Sequence, residues 1–214
     1  MIRSLNFRLL ERRLNNAYRS RLAKRGPTAE GVFWRSGTSQ TARFRVLLAL
    51  ITTHTADRPL SIADIGCGYG AMLDFLQGSS AFGDITYQGI DINDAMIDAC
   101  HRRFPAQKHL FRRANRPTGP VDFCVFSGTF NLTHSTDPSL WNDYIFTTLG
   151  RYLPYCRRGM ALNLICASKM AIKGQIFHAN RADFIAGATA RLGPTVAVST
   201  PGVSNDVSFL IRRR

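Results

Sequence analysis

Acidic residues are scarce in this chain: 14 Asp and Glu stand against 28 Lys and Arg, so the formal charge is +14 and the isoelectric point about 10.5. Only Glu11 and Glu30 are glutamates, so a glutamate base would have to come from the N-terminal segment. Long apolar runs are missing too. The longest, Val46 to Ile51, is far below the ~20 residues that cross a bilayer. Five cysteines (Cys67, Cys100, Cys124, Cys156, Cys166) are odd in number and contain no C-x-x-C pair, which excludes a disulfide framework and a thiolate zinc site and suits a reducing cytoplasm. No His, Cys and acid cluster has metal-ligand spacing, so no metal is expected. There is no internal repeat or low-complexity tract, and a hydrophobic share of 45% excludes wholesale disorder. What is present is 214 residues, the length of one domain with an appendage and enough to bury a core.

The positive charge is unevenly spread. Residues 1–25 hold Arg3, Arg8, Arg12, Arg13, Arg19, Arg21, Lys24 and Arg25 against Glu11 alone, and further clusters lie at 102–116, 157–158 and 212–214. Such a field attracts RNA, anionic lipid, or a phosphorylated or carboxylated substrate, and solvated arginine-rich surface accounts for it equally well. In the first stretch Leu10, Leu14, Tyr18 and Leu22 recur every four residues, joined by Leu5 and Leu9. That is a basic amphipathic helix. Its apolar stripe has few Trp and Phe, so a lid packed on the domain is expected ahead of a membrane-surface anchor. The segment has no separate apolar block or small-residue cleavage site, so a secretory signal is not expected, while a mitochondrial-type targeting segment stays open. The resulting division is a basic helical lid over 1–55 and a ligand-binding domain over 56–214.

Gly26-Pro27 breaks the first helix, and Gln40 to Thr52 repeats apolar residues at helical spacing, with Ser39 as its cap. Leu60 to Ile65 reads as a buried strand, followed at once by Gly66-Cys67-Gly68-Tyr69-Gly70 and a helix over Ala71 to Leu76. Strands then alternate with helices: Thr86 to Asp91, a helix closed by Pro105, a short strand at His109 to Phe111, Val121 to Ser127, a helix at Pro138 to Tyr152, and Gly159 to Cys166. Ala167 to Ala179 reads as a substrate loop, Ala182 to Leu192 as a helix, and Val196 to Ser199 with Val207 to Ile211 as a closing hairpin. This order predicts an α/β fold, a doubly wound, seven-stranded, mostly parallel sheet with an antiparallel edge hairpin.

The chemistry is concentrated in Ala63 to Gly70. Three glycines at alternate positions let the backbone turn tightly and approach a ligand, and the next helix presents unpaired N–H groups. Asp64 precedes them in the strand, and Asp91 ends the next strand, where a carboxylate can accept both hydroxyls of a ribose.

In ADIGCGYGAMLDFL and YQGIDINDAMIDAC the chain resembles the class I S-adenosylmethionine-dependent methyltransferases, and the order of elements extends that resemblance over about residues 39–214. It implies S-adenosylmethionine as co-substrate, with Asp64 ordering the loop, and Gly66, Cys67, Gly68 and Gly70 along the methionine and ribose. Asp91 would bind the ribose hydroxyls and Ile92 would pack on adenine. Ala114 and Asn115 stand where the family usually has an acid or amide for the adenine amine. Ser127 and Gly128 would face the sulfonium. Val32 to Ser36, Ser39-Gln40, Arg43-Phe44, Ser127 to Asn131 and Trp141 together resemble a subgroup of small bacterial enzymes that tailor metabolites or glycans. By that likeness Trp34, Gln40, Thr129 and Trp141 belong to the substrate side, and Arg43 is the candidate partner for the carboxylate of the methionine.

Methyl transfer from a sulfonium needs alignment in a dry pocket and a place for a proton. Asn131 is the candidate to orient an acceptor hydroxyl or amine. His134 and His178 are the candidate bases. The implied function is O- or N-methylation of a small biosynthetic intermediate, anionic or carrier-bound. Three alternatives stay open: an RNA methyltransferase, an enzyme that transfers another sulfonium carbon and releases methylthioadenosine, and a non-catalytic cofactor-binding subunit. There is no Asn-Pro-Pro-Tyr-like element after the fourth strand, which argues against an exocyclic-amine enzyme of the nucleic-acid kind. The acceptor and the oligomeric state are not legible.

Overall fold

In the computed structural model the described residues are 2–54 and 59–214, with side chains described from residue 6 onward. The 55/56 division, and Arg3 and Leu5 of the basic stripe, lie outside the residues or side chains so described. Strands β1 (Leu60–Ile65), β2 (Ile85–Asp91), β3 (Phe111–Arg113), β4 (Val121–Phe126) and β5 (Cys156–Ala167) form a parallel sheet in the order β3-β2-β1-β4-β5. β1 and β4 are nearly continuous apolar runs because both of their faces are covered. The hairpin of β8 (Thr195–Ser199) and β9 (Asp206–Arg212) closes that edge, β9 running antiparallel to β5.

Those strands make the predicted seven. Two more were not foreseen: β6 (Ala171–Lys173) and β7 (Ile176–Asn180) form a hairpin on the far end of β5, where Cys166 and Ala167 pair with Ala179 and Asn180. The expected loop over 167–179 is therefore largely strand. Gly174 and Gln175 both take positive φ at its tip, which lets a short turn replace a loop.

Helices cover both faces. α2 (Gly37–Thr53), α3 (Ala71–Gln77) and α4 (Asp94–Arg103) pack on one, with Leu47, Leu48 and Ile51 of α2 in the same core as Ile62 and Val125. α5 (Pro138–Tyr152) and α6 (Arg181–Arg191) cover the other through Trp141, Ile145 and Phe184. Local chemistry starts these helices: the side chains of Ser36, Asn93, Asp137 and Asn180 each accept a backbone N–H of the following turn. Ser36 thus replaces Ser39 as the cap of α2.

α1 (Ile2–Arg25) spans the C-terminal edge of the sheet. Phe7 and Leu10 join the α5 side of the core, while Leu22 packs with Val32, Tyr69 and Met96. Leu9 is 51% exposed, so Phe7 takes the buried place that the stripe had assigned to Leu9. α2 belongs to the sheet sandwich, and α1 alone crosses the edge where ligands bind in open α/β sheets. Among the described residues, no helix is long and apolar enough to cross a membrane, and no His, Cys and acid group could hold a metal.

Candidate active site

The turn from β1 to α3 is held from beneath. Gly66 and Cys67 donate their N–H groups to Ile90 O at 2.8 and 3.1 Å, and Gly68 donates to Asp91 Oδ2 at 3.0 Å. Gly66, Gly68 and Gly70 have φ of 76°, 56° and 81°, the left-handed region that side chains resist. A Cβ on Gly70 would also lie 2.8 Å from the Phe104 ring, whereas one on Gly68 meets only Val32 at 3.6 Å. The alternate glycines therefore satisfy a backbone conformation, and the loop stays narrow beside the cavity.

Asp91 lies across this turn. Its Oδ1 accepts from Asn93 N at 2.8 Å and its Oδ2 from Gly68 N. A carboxylate oxygen can accept two hydrogen bonds, so each keeps one place, matching the vicinal hydroxyls of a ribose. Burial pushes the Asp91 carboxyl up to about 6, against the pull of backbone N–H groups of Asn93, Gly68 and Ile92. Asp64 is buried as well and accepts from Tyr87 Oη at 2.9 Å. Burial pushes its carboxyl up to about 7, with the Asp91 charge acting in the same sense and the Tyr87 bond opposing. The loop N–H groups of Gly66, Cys67 and Gly68 go to Ile90 and Asp91.

Above the turn lies a cavity of about 890 Å³ whose wall includes Asp64, Gly66 to Tyr69, Asp91 to Asn93 and Ser127 to Thr129. α1 closes it with Glu11, Leu14, Asn15 and Tyr18, at the spacing of one helix face, and Met96, Gln40, Phe44 and Tyr144 complete it. Ser127 Oγ is buried there without a protein partner. A strand-end carboxylate, a left-handed glycine turn and the apolar side chains of Leu14, Phe44 and Met96 fit an adenosyl ligand in chemistry.

A second cavity, about 1640 Å³ and more open, shares Tyr18, Val32, Trp34 and Gly128 with the first. Ser36, Thr38, Ser39, Asn131, Ser204 and Asn205 line it, with Arg35 and Arg43. The partition between the two is Trp34, whose ring lies so close to Gly128 that a Cβ there would come within 2.4 Å of it. Arg43 stacks on the other side of the partition, its guanidinium 4.5 Å from the Trp34 ring centre, and its Nε donates to Asp206 Oδ2 at 2.5 Å. Asp206, fully buried, also accepts from Asn163 Nδ2 at 2.8 Å and Thr200 Oγ1 at 2.6 Å, and Asn163 Oδ1 takes the N–H of Gly128 at 2.8 Å. One network thus fixes both the partition and the end of β4.

The sequence-predicted residues divide accordingly. Asp64, Gly66, Cys67, Gly68, Asp91, Ile92, Ser127, Gly128, Thr129, Trp34 and Gln40 gather on the first wall, and Gly70 supports the loop from behind. Thr129 Oγ1 is tied to Ile65 O at 2.8 Å and Gln40 Oε1 accepts from Tyr69 Oη at 2.8 Å. Arg43 is not on the first wall, and the buried Asp206 carboxylate claims its guanidinium. Trp141 is wholly buried and donates Nε1–H to Phe130 O at 3.0 Å, a core position with no access to either cavity. Asn115 is exposed and Ala114 gives its N–H to Asp91 O, so neither reaches the first wall.

Asn131 borders the second cavity, although its Oδ1 accepts from Ile165 N at 3.0 Å. His134 has its Nε2 buried without a partner, and His178 lies on β7 two residues beyond Ile176; neither residue is on the wall of either cavity. The residues that sequence reasoning missed come from α1 (Glu11, Asn15) and from Asn93, Met96 and Tyr144. The signal for the first two was the helix stripe itself, whose polar neighbours share its inward face.

Comparison with known proteins agrees with this geometry. No protein-family model matches the chain. A protein of Mycobacterium tuberculosis (strain ATCC 25618 / H37Rv) named "Putative methyltransferase Rv1506c" is 35% identical over 116 residues, 54% of this chain and 69% of that protein. A Leishmania major S-adenosylmethionine-dependent methyltransferase superposes with a TM-score of 0.65 at 9% identity, over 94% of this chain and 83% of that one. The amino pentose methyltransferase CalS10 of Micromonospora echinaspora, solved with bound S-adenosylmethionine, gives 0.58 at 12% identity over 82% and 92%. The magnesium protoporphyrin IX methyltransferase of Synechocystis PCC 6803, also with S-adenosylmethionine bound, gives 0.54 at 14% over 81% and 80%. The chain belongs to the methyltransferase family of that Mycobacterium tuberculosis protein, and its fold is that of solved S-adenosylmethionine-dependent methyltransferases.

Proposed function

We propose that the protein methylates an oxygen or nitrogen of a small, anionic or carrier-bound biosynthetic intermediate held in the second cavity. The observation that carries this reading is the shared wall at Trp34 and Gly128, which sets a polar, wide cavity directly against the cofactor cavity. Arg35 and Arg43 line that cavity and no acidic side chain does; Asp206 neutralises Arg43, so Arg35 is the cation offered to an acceptor. When bound, S-adenosylmethionine supplies an activated methyl carbon and a neutral leaving group.

The protein's part is alignment and the exclusion of water. Asp91 grips the ribose, the glycine turn supports the amino acid portion, and α1 acts as the lid that keeps the cavity dry. Ser127 Oγ offers a hydrogen bond at the end of β4, and the Arg43–Asp206–Asn163 network holds Gly128 and Trp34 in place. Asn131 borders the acceptor. Five free, buried cysteines suit a cytoplasmic setting.

Incubation with S-adenosylmethionine and fractionated cell extract, followed by mass analysis, tests the reading. The expected products are S-adenosylhomocysteine and an acceptor heavier by one methylene. Methylthioadenosine instead would contradict methyl transfer and assign the chemistry to another sulfonium carbon. RNA as the methylated species, with salt-sensitive binding lost when the first 25 residues are neutralised, would contradict the small acceptor.

A further inference from the structure

Where the family resemblance expects a polar acceptor for the adenine amine, this chain offers none on the first wall: Ala114 has no polar side chain and Asn115 is exposed. The wall next to Ile92, where the resemblance would put adenine, is roofed by α1. Asn15 sits there, pinned by its own backbone, because its carbonyl accepts from Asn93 Nδ2 at 3.1 Å. Asn93 and Glu11 beside it are already engaged. Asn93 Oδ1 takes the N–H of Ala95, and Glu11 Oε1 accepts from Tyr144 Oη at 3.3 Å and lies 4.0 Å from Arg151. Asn15 Oδ1, on a side chain that lines the wall, is buried and has no hydrogen-bond partner. A buried acceptor left without a donor is costly, and an exocyclic amine on the ligand is the donor that would satisfy it.

We propose that Asn15 of the N-terminal helix, not the loop after β3, recognises the adenine 6-amino group through its side-chain carbonyl. The lid then reads the base as well as covering it, and the bound ligand fastens the lid. This inference rests on the cofactor cavity described above, and the test separates the two.

Affinities of S-adenosylhomocysteine and S-inosylhomocysteine, which carries a carbonyl in place of the amine, are measured by titration calorimetry for the 214-residue protein and for Asn15→Leu and Asn15→Asp. The wild type is expected to bind the adenine ligand about tenfold more tightly than the hypoxanthine ligand, the size of one lost buried hydrogen bond. Asn15→Leu should lose most of that ratio by weakening the adenine ligand alone. Asn15→Asp keeps an acceptor and should restore the preference. The Asn93 contact uses the backbone of residue 15 and survives in both variants, and unchanged unfolding temperatures without ligand would verify it. An undiminished adenine preference in Asn15→Leu overturns the assignment while leaving the cavity intact. Failure of the wild type to bind S-adenosylhomocysteine overturns the cavity reading itself.

Discussion

The two cavities share a tryptophan and differ in how the chain builds them. The floor of the first comes from three short stretches, 64–71, 91–96 and 127–129, each at the C-terminal end of a parallel strand or just after it. The second is assembled from segments near residues 32–43, 128–132, 165, 176 and 201–205, which meet only after the sheet and its edge hairpin have formed. The first is specified by backbone geometry and a carboxylate, the second by loops. A fold can keep the first constant while the second changes its substrate.

Variants on either side of the Trp34 partition can separate the two. The largest effect is expected at Asp91. Asp91→Ala removes both ribose acceptors and frees the N–H groups of Gly68 and Asn93, so the affinity for S-adenosylhomocysteine should fall about 100-fold or more, two charge-assisted bonds at ~1.5–3 kcal/mol each. An affinity within fivefold of the wild type would mean that the ribose sits elsewhere.

Arg43→Met works on the opposite side. It leaves Asp206 buried with its cation gone, which should cost about 3 kcal/mol of stability in denaturant unfolding. Asp206→Asn in the same chain should recover part of that loss. S-adenosylhomocysteine should still bind within about threefold at a temperature where the variant is folded, while acceptor turnover falls as Trp34 loosens. Loss of cofactor binding in the folded variant would return Arg43 to the methionine carboxylate.

The third effect concerns pH, and its sign differs between folding and binding. Asp64 and Asp91 have folded values raised to about 7 and about 6, so their contribution to stability is complete below the ordinary carboxylate range near pH 4. It is lost as pH rises through 6 and 7. Ribose binding needs the charged Asp91, so the affinity for S-adenosylhomocysteine should instead rise across pH 6, and Asp91→Asn should flatten that rise. A wild-type affinity constant from pH 5 to 8 would contradict a titrating Asp91 in the site.

The smallest effect is expected for the histidines. His134→Ala and His178→Ala should keep turnover within about threefold, since neither ring lies on a wall. Loss of a general base costs about a hundredfold or more, and a loss of that size in either variant would give that histidine the role.

Legibility in the sequence follows the same division. The glycine turn and Asp91 could be read because local backbone demands and strand-end position determine them together. The caps at Asn93, Asp137 and Asn180 belong to the same kind of local chemistry. The pairing of Arg43 could not be read, because its partner Asp206 lies 163 positions away and its burial is invisible until β9 pairs with β5. Trp141 had the right residue type and the wrong side of the sheet. The β6–β7 hairpin was missed because five- and three-residue strands around Gly174 and Gln175 resemble a loop when read without their partner β5. Asn15 lay hidden in a basic helix whose charge drew attention to RNA and membranes. Its burial depends on α1 crossing the sheet edge, a tertiary fact.

The central claim is that the cavity above the β1 turn holds the adenosyl ligand, and thermal unfolding with increasing S-adenosylhomocysteine tests it most directly. The account predicts a saturable rise in the unfolding temperature, equivalent to ~2.7 kcal/mol at a hundredfold excess over Kd, and its near-disappearance in Asp91→Ala over the same range of ligand. No shift in the wild type at millimolar ligand, or an equal shift in both proteins, would contradict it.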